Sequence, residues 1–234
     1  MIKKKPKINV LVDTNILLRA SIQEQERNEL EQLIDYSKQG HIRLFISEIV
    51  IDEIEKSQKD FDNKLNQEIS KVSQGIREIF KPGKIWNDLN DCENYLVDAL
   101  YEYKGNKYNL YTEFIEEFNK LTNSNNITLL KPDLEKFYSI QREITKGNIP
   151  RINSNDIQIL GCIEDLCSKM KNEKLYYITE NKKDFFETDI NGNYIKNPDG
   201  SYIIKGLEFD FVSGFVSIRQ VLVHIKKELG ETNE

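Results

Sequence analysis

Three acidic side chains stand where the pattern around them does not call for an acid. From Ser47 toward Lys81 the sequence has helical periodicity, with apolar residues at Ile46, Ile49, Val50 and Ile54. Glu53 falls four positions after Ile49 and three after Val50, so it points with the apolar stripe, while Glu48, Asp52 and Glu55 follow the solvated face. A carboxylate directed inward is costly unless it is protonated, hydrogen-bonded or bound to a cation; an edge carboxylate paired with a lysine is the plainer alternative. In the helix expected from Asn153 to Lys171, the stripe is Ile159, Leu160, Ile163, Leu166, Cys167 and Met170, and Asp156 extends it at the N-terminal end. An acid there also favours the helix dipole, and Asn153 or Ser154 can cap the same end. Asp13 ends the apolar run Ile-Asn-Val-Leu-Val and is equally placed to cap a helix beginning at Thr14.

The elements that must position these residues alternate. Ile8 to Val12, His41 to Ile46, Ile127 to Leu130, Leu175 to Thr179 and a segment near Phe209 to Val216 read as short strands. Helical patterns run from Thr14 through about Gly40, from Ser47 to the break at Pro82-Gly83, from Asp133 to about Lys146, from Asn153 to Lys171 and from Ser217 to Leu229. Alternation of this kind predicts an α/β fold, a three-layer α/β/α sandwich around a mainly parallel sheet. Residues from about 84 to 131, aromatic-rich and ending in Asn123-Ser124-Asn125-Asn126, read as a helical insertion. The turn chemistry of Asn197-Pro198-Asp199-Gly200 predicts a β-hairpin over Tyr194 to Ile204, a decoration of about 190–206 on a single domain.

Ligand sites of parallel sheets gather at the carboxyl ends of the strands. Asp13 lies at such an end, and Asn181 and Asp184 follow the strand Leu175 to Thr179. Four segments thus bring acidic or amide side chains to one rim. With no histidine or thiol among them, the donors are hard oxygens suited to Mg²⁺ or Mn²⁺ rather than zinc, and such a site points to phosphodiester chemistry.

Composition narrows the field further. The chain has 234 residues, 38% of them hydrophobic, a net charge of -6 and a pI of about 5.3. No apolar run approaches the roughly 18 to 20 residues of a membrane-spanning helix, so no membrane partner is expected. Cys92, Cys162 and Cys167 include no Cys-x-x-Cys pair, and His41 and His224 are the only histidines. Disulfide scaffolds, zinc fingers and histidine-based triads are therefore excluded as readings, and a reducing cytoplasm is expected. A net acidic chain is no general nucleic-acid coat, though it can cut nucleic acid through metal ions.

These residues, in this order, resemble the PIN domain, the metal-dependent nuclease family that includes the VapC toxins. The matching pieces are Val10-Leu11-Val12-Asp13-Thr14-Asn15, Ser47-Glu48-Ile49-Val50-Ile51-Asp52-Glu53, Asn155-Asp156, and Ile178-Thr179-Glu180-Asn181-Lys182-Lys183-Asp184-Phe185. The resemblance covers roughly residues 7 to 81 and 151 to 216 and leaves the insertion and the hairpin without counterparts. It implies that Asp13, Glu53 and Asp156 hold Mg²⁺ or Mn²⁺, that Asn15 supports the first acid, and that the Thr179 hydroxyl lies near the last. Many members carry a fourth aspartate where this chain has Asn181; Asp184, three residues on, is the candidate to take that part in catalysis and metal binding. The implied activity is endonucleolytic hydrolysis of single-stranded or structured RNA, with DNA not excluded, leaving 5′-phosphate and 3′-hydroxyl ends, in a toxin or defence effector. An antitoxin or other protein partner and a homodimer stay open, because no residue marks an interface.

Arg151, Lys182 and Lys183 flank the rim and are candidate phosphate contacts, while Lys3, Lys4, Lys5 and Lys7 read as a solvated tail. Tyr95, Tyr101, Tyr103, Tyr108 and Tyr111 have the chemistry to stack on bases but read mostly as core of the insertion. The alternative to an enzyme is a module that keeps the fold, has lost efficient chemistry at Asn181, and binds RNA or a protein. A haloacid-dehalogenase phosphatase also begins with a strand and an aspartate, but it needs a second aspartate where this chain has Asn15.

Overall fold

Every residue of Ile-Asn-Val-Leu-Val is buried, as expected of a strand covered on both faces. In the computed structural model, which describes residues 8–80, 87–122, 126–147, 153–170, 173–207 and 209–231, this run is β1 (Ile8–Val12), the middle of a five-stranded sheet. The others are β2 (Ile42–Ser47), β3 (Ile127–Leu130), β4 (Lys174–Ile178) and β5 (Val212–Phe215), in the order β3-β2-β1-β4-β5 with every pairing parallel. Arg151, the lysines of the N-terminal tail, Pro82-Gly83 and residues 123–125 lie outside the described residues.

The helices are α1 (Thr14–Ile22), α2 (Glu24–Lys38), α3 (Glu48–Phe80), α4 (Asn87–Thr122), α5 (Leu134–Thr145), α6 (Ser154–Lys169), α7 (Lys182–Phe185) and α8 (Ile218–Leu229). Their ends follow local chemistry. Asp133 caps α5 by accepting from the backbone N–H groups of Glu135 and Lys136, Asn153 caps α6 through the Asp156 N–H, and Ser217 caps α8 through that of Gln220. Gly230, at φ 74°, takes the left-handed turn that stops α8. The Ser47 hydroxyl, expected to cap α3, instead lies 3.7 Å from the Cys162 sulfur. Among the described residues no helix is long and apolar enough to cross a membrane.

Strand alternation divides the sheet's side chains between two layers. Leu11, Phe45, Leu175 and Tyr177 pack with Ile140 of α5 and with Ile159, Leu160, Ile163 and Leu166 of α6. On the other face α2 and α8 cover the sheet, with Tyr176 and Phe215 set edge-on to one another beside His224. Burying each such large apolar side chain contributes roughly 1.5 to 3 kcal/mol.

The chain divides into two compact units. One holds the sheet and comprises the chain up to Glu53 and from Asn119 onward; the other, Ile54–Phe118, consists of the rest of α3 and most of α4. Inside this second unit Leu65, Ile69, Val97, Tyr111, Phe114, Ile115 and Phe118 are buried, and the Tyr111 hydroxyl donates to the Ile54 carbonyl at 3.4 Å. Tyr95, Tyr101, Tyr103 and Tyr108 are exposed, so the expectation that most of the insertion's tyrosines are core is corrected. A unit of two helices has one inner stripe per helix, and on α4 that stripe is taken by the residues around Tyr111 and Phe118.

Between α7 and β5 the chain forms the isolated antiparallel bridges Phe186↔Ile204, Thr188↔Tyr194, Lys196↔Tyr202 and Tyr202↔Gly214 in place of the regular ladder of a hairpin. The turn at Asn197–Gly200 closes as its residues predict, with the Gly200 N–H donating to the Asn197 carbonyl at 2.9 Å. Asp189 closes the reversal before it: its carboxylate accepts from the N–H groups of Asn191 and Asn193 at 2.8 and 2.9 Å, an Asx turn flanked by the Thr188↔Tyr194 bridge.

Gly214 is where this arm meets the sheet. A Cβ there would fall 2.4 Å from Cε1 of Phe186, a fully buried ring stacked on Tyr202 with centroids 4.7 Å apart. Gly214→Ala is expected to destabilise the fold by about 1 to 3 kcal/mol through overpacking, read as a lower urea midpoint with unchanged slope.

Candidate active site

Register sets the site. Val12 pairs with both Ile46 and Ile178, so Asp13, Ser47 and Thr179 leave the sheet side by side at its carboxyl edge. The Asp13 N–H extends the ladder by donating to the Ile178 carbonyl at 3.0 Å. After β3 the chain crosses to the far side of β1 to make β4, so the gap between the ends of β1 and β4 is the switch point of the sheet.

Asp13 is 4% exposed. It serves as the cap of α1, its Oδ1 accepting from the Thr14 N–H at 2.8 Å. Its Oδ2 accepts from the Thr179 hydroxyl at 2.6 Å and the Asn15 amide at 2.8 Å. The same Asn15 amide reaches Thr179 Oγ1 at 3.3 Å, and Asn15 Oδ1 accepts from the Glu180 N–H at 3.1 Å, tying α1 to the turn after β4. The expected support of Asp13 by Asn15 and Thr179 is thus a set of direct hydrogen bonds.

Glu53, one and a half turns into α3, reaches the same rim. One carboxylate oxygen accepts from the Thr14 hydroxyl and the other from the Asn155 amide at 2.5 Å. Asp156 is 7% exposed; its Oδ2 accepts from the Asn153 amide and from the Asn181 amide at 3.3 Å. Asn181 is itself held by its N–H donating to Thr179 Oγ1 at 3.0 Å. Asp184 lies one turn along, its N–H reaching the Asn181 carbonyl at 3.3 Å, close enough for its charge to act on Asp156. The structure therefore brings together Asp13, Asn15, Glu53, Asp156, Thr179, Asn181 and Asp184. Lys182 and Lys183 stand on the adjoining α7, and Lys182 turns its ammonium toward Tyr194 and Tyr202.

These acids press on one another. Burial, and then the charges of Asp13, Asp184 and Glu53, push the Asp156 carboxyl up from 3.8 to about 7. Burial also raises Asp13, against the Thr179 and Thr14 hydrogen bonds that favour its charged form. Among the described residues no lysine or arginine pairs with any of the four acids.

Donor chemistry fits a hard divalent cation, since every polar atom on the rim is oxygen or amide and the net charge is negative. Among the described residues, however, no three His, Cys, Asp or Glu side chains stand as a ready cation cage. Amide and hydroxyl donors meet the carboxylates instead, and the carboxylate oxygens keep further lone pairs with which a cation could be held.

Thr14, Asn153 and Asn155 entered the sequence reading as motif or cap residues, yet each donates to an acid of the rim. Tyr177 is a further residue at the rim that the pattern did not single out. Its fully buried hydroxyl lies beside Asp13 and Thr179 with no hydrogen-bond partner of good geometry, and burial drives its pKa well above the usual 10. Its place at an inward position of β4 was legible; the polar end beneath the acids was not.

The fold is thus a parallel α/β sandwich whose carboxylates converge at the switch point of the sheet. The model of the PIN domain family matches residues 10–185, and the chain belongs to that family of nucleases. Among solved structures, a chain of VapBC2 from Rickettsia felis bound to a DNA fragment from their promoter is similar at 13% identity, covering 75% of this chain and 89% of that one with a TM-score of 0.34, too slight a likeness to bear on function. No curated protein matches the chain.

The raised Asp156 sets a pH dependence. Between 3.8 and about 7 the folded chain keeps a proton that the unfolded chain has released. This group's stabilising effect is therefore complete below 3.8 and is lost as pH rises to about 7. In EDTA the melting temperature is expected to fall between pH 5 and pH 8, and Asp156→Asn to flatten that fall; equal slopes in the two proteins would contradict the assignment.

Proposed function

We propose that the protein is an Mg²⁺- or Mn²⁺-dependent endoribonuclease, acting on single-stranded or structured RNA. The observation that supports it most is the convergence of Asp13, Glu53, Asp156 and Asp184 on the β1–β4 switch point, with no lysine or arginine paired to them among the described residues. Asp13, Glu53 and Asp156 would hold the ion, with Asp184 as the fourth carboxylate. When bound, such an ion supplies a water of lowered pKa and stabilises charge developing on the phosphate.

The remaining chemistry belongs to the chain's own residues. Thr179 and Asn15 fix one oxygen of Asp13 while Thr14 fixes the other, so that carboxylate has a single orientation. Thr14 and Asn155 do the same for Glu53. Asn181, at the position of the family's fourth acid, donates to Asp156 and so lowers the rim's negative charge by one relative to an aspartate there. Lys182 and Lys183 would meet phosphate on the side of α7 away from the acids.

A second reading, a module that binds RNA or a protein without efficient cleavage, draws on the same Asn181 and on the amides that occupy the carboxylates. Metal decides between the two. A cation that binds the folded chain alone raises its stability by RT ln(1 + [L]/Kd). Mn²⁺ is expected to raise the melting temperature at pH 8, and to do so less in Asp156→Asn.

Cleavage of matched single-stranded RNA and DNA with Mn²⁺, Mg²⁺ or EDTA tests the activity. The expected result is cutting of RNA with either ion and none in EDTA, reduced by at least about a hundredfold in Asp13→Asn, Glu53→Gln and Asp156→Asn, the scale of removing one group that stabilises transition-state charge. Undiminished cutting in EDTA or in the variants would overturn the mechanism; metal binding with no cutting would leave a narrow target or a degenerate site, and no metal binding would favour the module.

A further inference from the structure

In and beside the arm between α7 and β5, several acids are engaged by hydrogen bonds or an ion pair, whereas the lysines are not paired with acids. Asp189 is occupied by the N–H groups of Asn191 and Asn193 and by the Asn193 amide at 3.2 Å. Asp199 accepts from the Ser201 N–H at 2.9 Å and its hydroxyl at 2.6 Å and faces His224 at 3.9 Å. Glu187 accepts from the Gly206 N–H at 3.4 Å, and Glu180, at the start of the turn, pairs with Arg19. By contrast, none of Lys182, Lys183, Lys196 and Lys205 has a carboxylate partner among the described residues.

Nor are these lysines loose. Lys196 stands over the Tyr202 ring with its Nζ 4.9 Å from the centroid, and Lys182 approaches the same ring at 5.7 Å and Tyr194 at 6.0 Å. Tyr202 is rigid, stacked parallel on buried Phe186, and the ring of Tyr194 meets it edge-on at 89° while remaining 37% exposed. Lys205 reaches across to donate to the Lys183 carbonyl. The Tyr202 ring thus brings the Lys182 and Lys196 ammonium groups together without neutralising them, in a chain whose net charge is -6. Like charges held together in this way are stable chiefly opposite a polyanion. Lys182 directly follows Asn181, so the patch starts at the acid rim.

We infer that the arm is the track along which a single-stranded nucleic acid leaves the acid rim, with Lys182, Lys183, Lys196 and Lys205 on its phosphates and Tyr194 as the platform for an unstacked base. The inference rests on the nuclease reading of the rim. A single strand fits because its bases are free to stack on an exposed aromatic ring, whereas those of a duplex are not, and the lysines supply the sequence-independent attraction to the backbone.

The test is fluorescence anisotropy of the full chain in EDTA with labelled single-stranded RNA and DNA of one sequence, the corresponding duplex, and a polyglutamate peptide, together with cleavage in Mn²⁺. The variants are Tyr194→Ala, Tyr194→Phe, Lys196→Gln and Lys196→Glu, all at exposed positions. Single-strand binding is expected to weaken about tenfold in Tyr194→Ala and to recover in Tyr194→Phe. Lys196→Gln should shrink the slope of log affinity against log salt by about 0.7, Lys196→Glu by more, and each should raise KM far more than it lowers kcat. The RNA and DNA arms report which sugar the track prefers. Wild-type affinity in Tyr194→Ala and Lys196→Glu with metal-dependent cleavage intact would overturn the track alone. So would equal duplex binding insensitive to Tyr194→Ala, or a loss confined to polyglutamate, which would make the patch a seat for an acidic peptide. No nucleic-acid binding and no cleavage by the wild type would overturn the nuclease reading and the track together.

Discussion

A carboxylate that is almost wholly buried beside three others is the constraint on which the rest of the molecule turns. Asp13 has four contributors to its environment, and they come from different parts of the chain: its own helix through Thr14 and Asn15, the next strand through Thr179, and the long helix through Glu53. One of those contributions, that of Thr179, exists only if β1 and β4 are paired in register. A slip of one residue would turn Thr179 to the opposite face and put the flanking polar groups into the core. Sheet pairing and site geometry are therefore a single condition, which is why the most regular part of the structure, the alignment of Val12 with Ile46 and Ile178, lies immediately beneath its most polar part.

The way this repulsion is offset matters as much as its presence. Lysine or arginine side chains would have neutralised the acids and filled the space in front of them. Among the described residues amides and hydroxyls stand there instead: Asn15, Asn153, Asn155, Asn181, Thr14 and Thr179 each donate to a carboxylate. Neutral donors orient an oxygen and lower the cost of burying it, yet leave the formal charge in place. The surplus shows in the Asp156 carboxyl at about 7, which is the response of a site with more negative charge than its surroundings compensate. A hard cation and a proton are two ways of relieving the same surplus.

Much of this was legible in the sequence because it is written in periodicity. Glu53 and Asp156 stand out against apolar stripes, and Asp13 against the end of a buried strand, so a pattern argument finds them and the parallel sheet that gathers them. The amides escape such an argument. Asn153 at a cap and Asn155 in a first turn are ordinary there, and only the tertiary fold reveals that each faces an acid. Tyr177 escapes for a similar reason, since a tyrosine at an inward strand position reads as a ring and its hydroxyl is invisible to hydropathy. The long helical pair shows the opposite failure. Its tyrosines are apolar by composition, but two helices packed together have too little interior for them, and Tyr95, Tyr101, Tyr103 and Tyr108 are exposed. In the arm, turn residues identified the reversal at Asn197–Gly200, while the side chain of Asp189 closed a local turn that no strand propensity anticipates.

The short helix α7 joins the two chemistries. Within one turn its side chains face separate environments: Asn181, at its cap, and Asp184 act on Asp156, Lys182 turns to the tyrosines of the arm, and Phe185 with the following Phe186 is fully buried. Phe185 packs edge-on to Tyr177, whose hydroxyl lies beside Asp13; Phe186 stacks on Tyr202, which carries Lys182 and Lys196. Two adjacent rings thus pin opposite ends of the surface, one below the acids and one below the lysines. The absence of a side chain at Gly214 is what lets Phe186 occupy that position. An arm inserted anywhere else between β4 and β5 would have been free to move against the rim. Anchored through consecutive phenylalanines, the arm joins the sheet beside the carboxylates, and its Lys182 and Lys196 lie against Tyr202 instead of pairing with the acids of the rim.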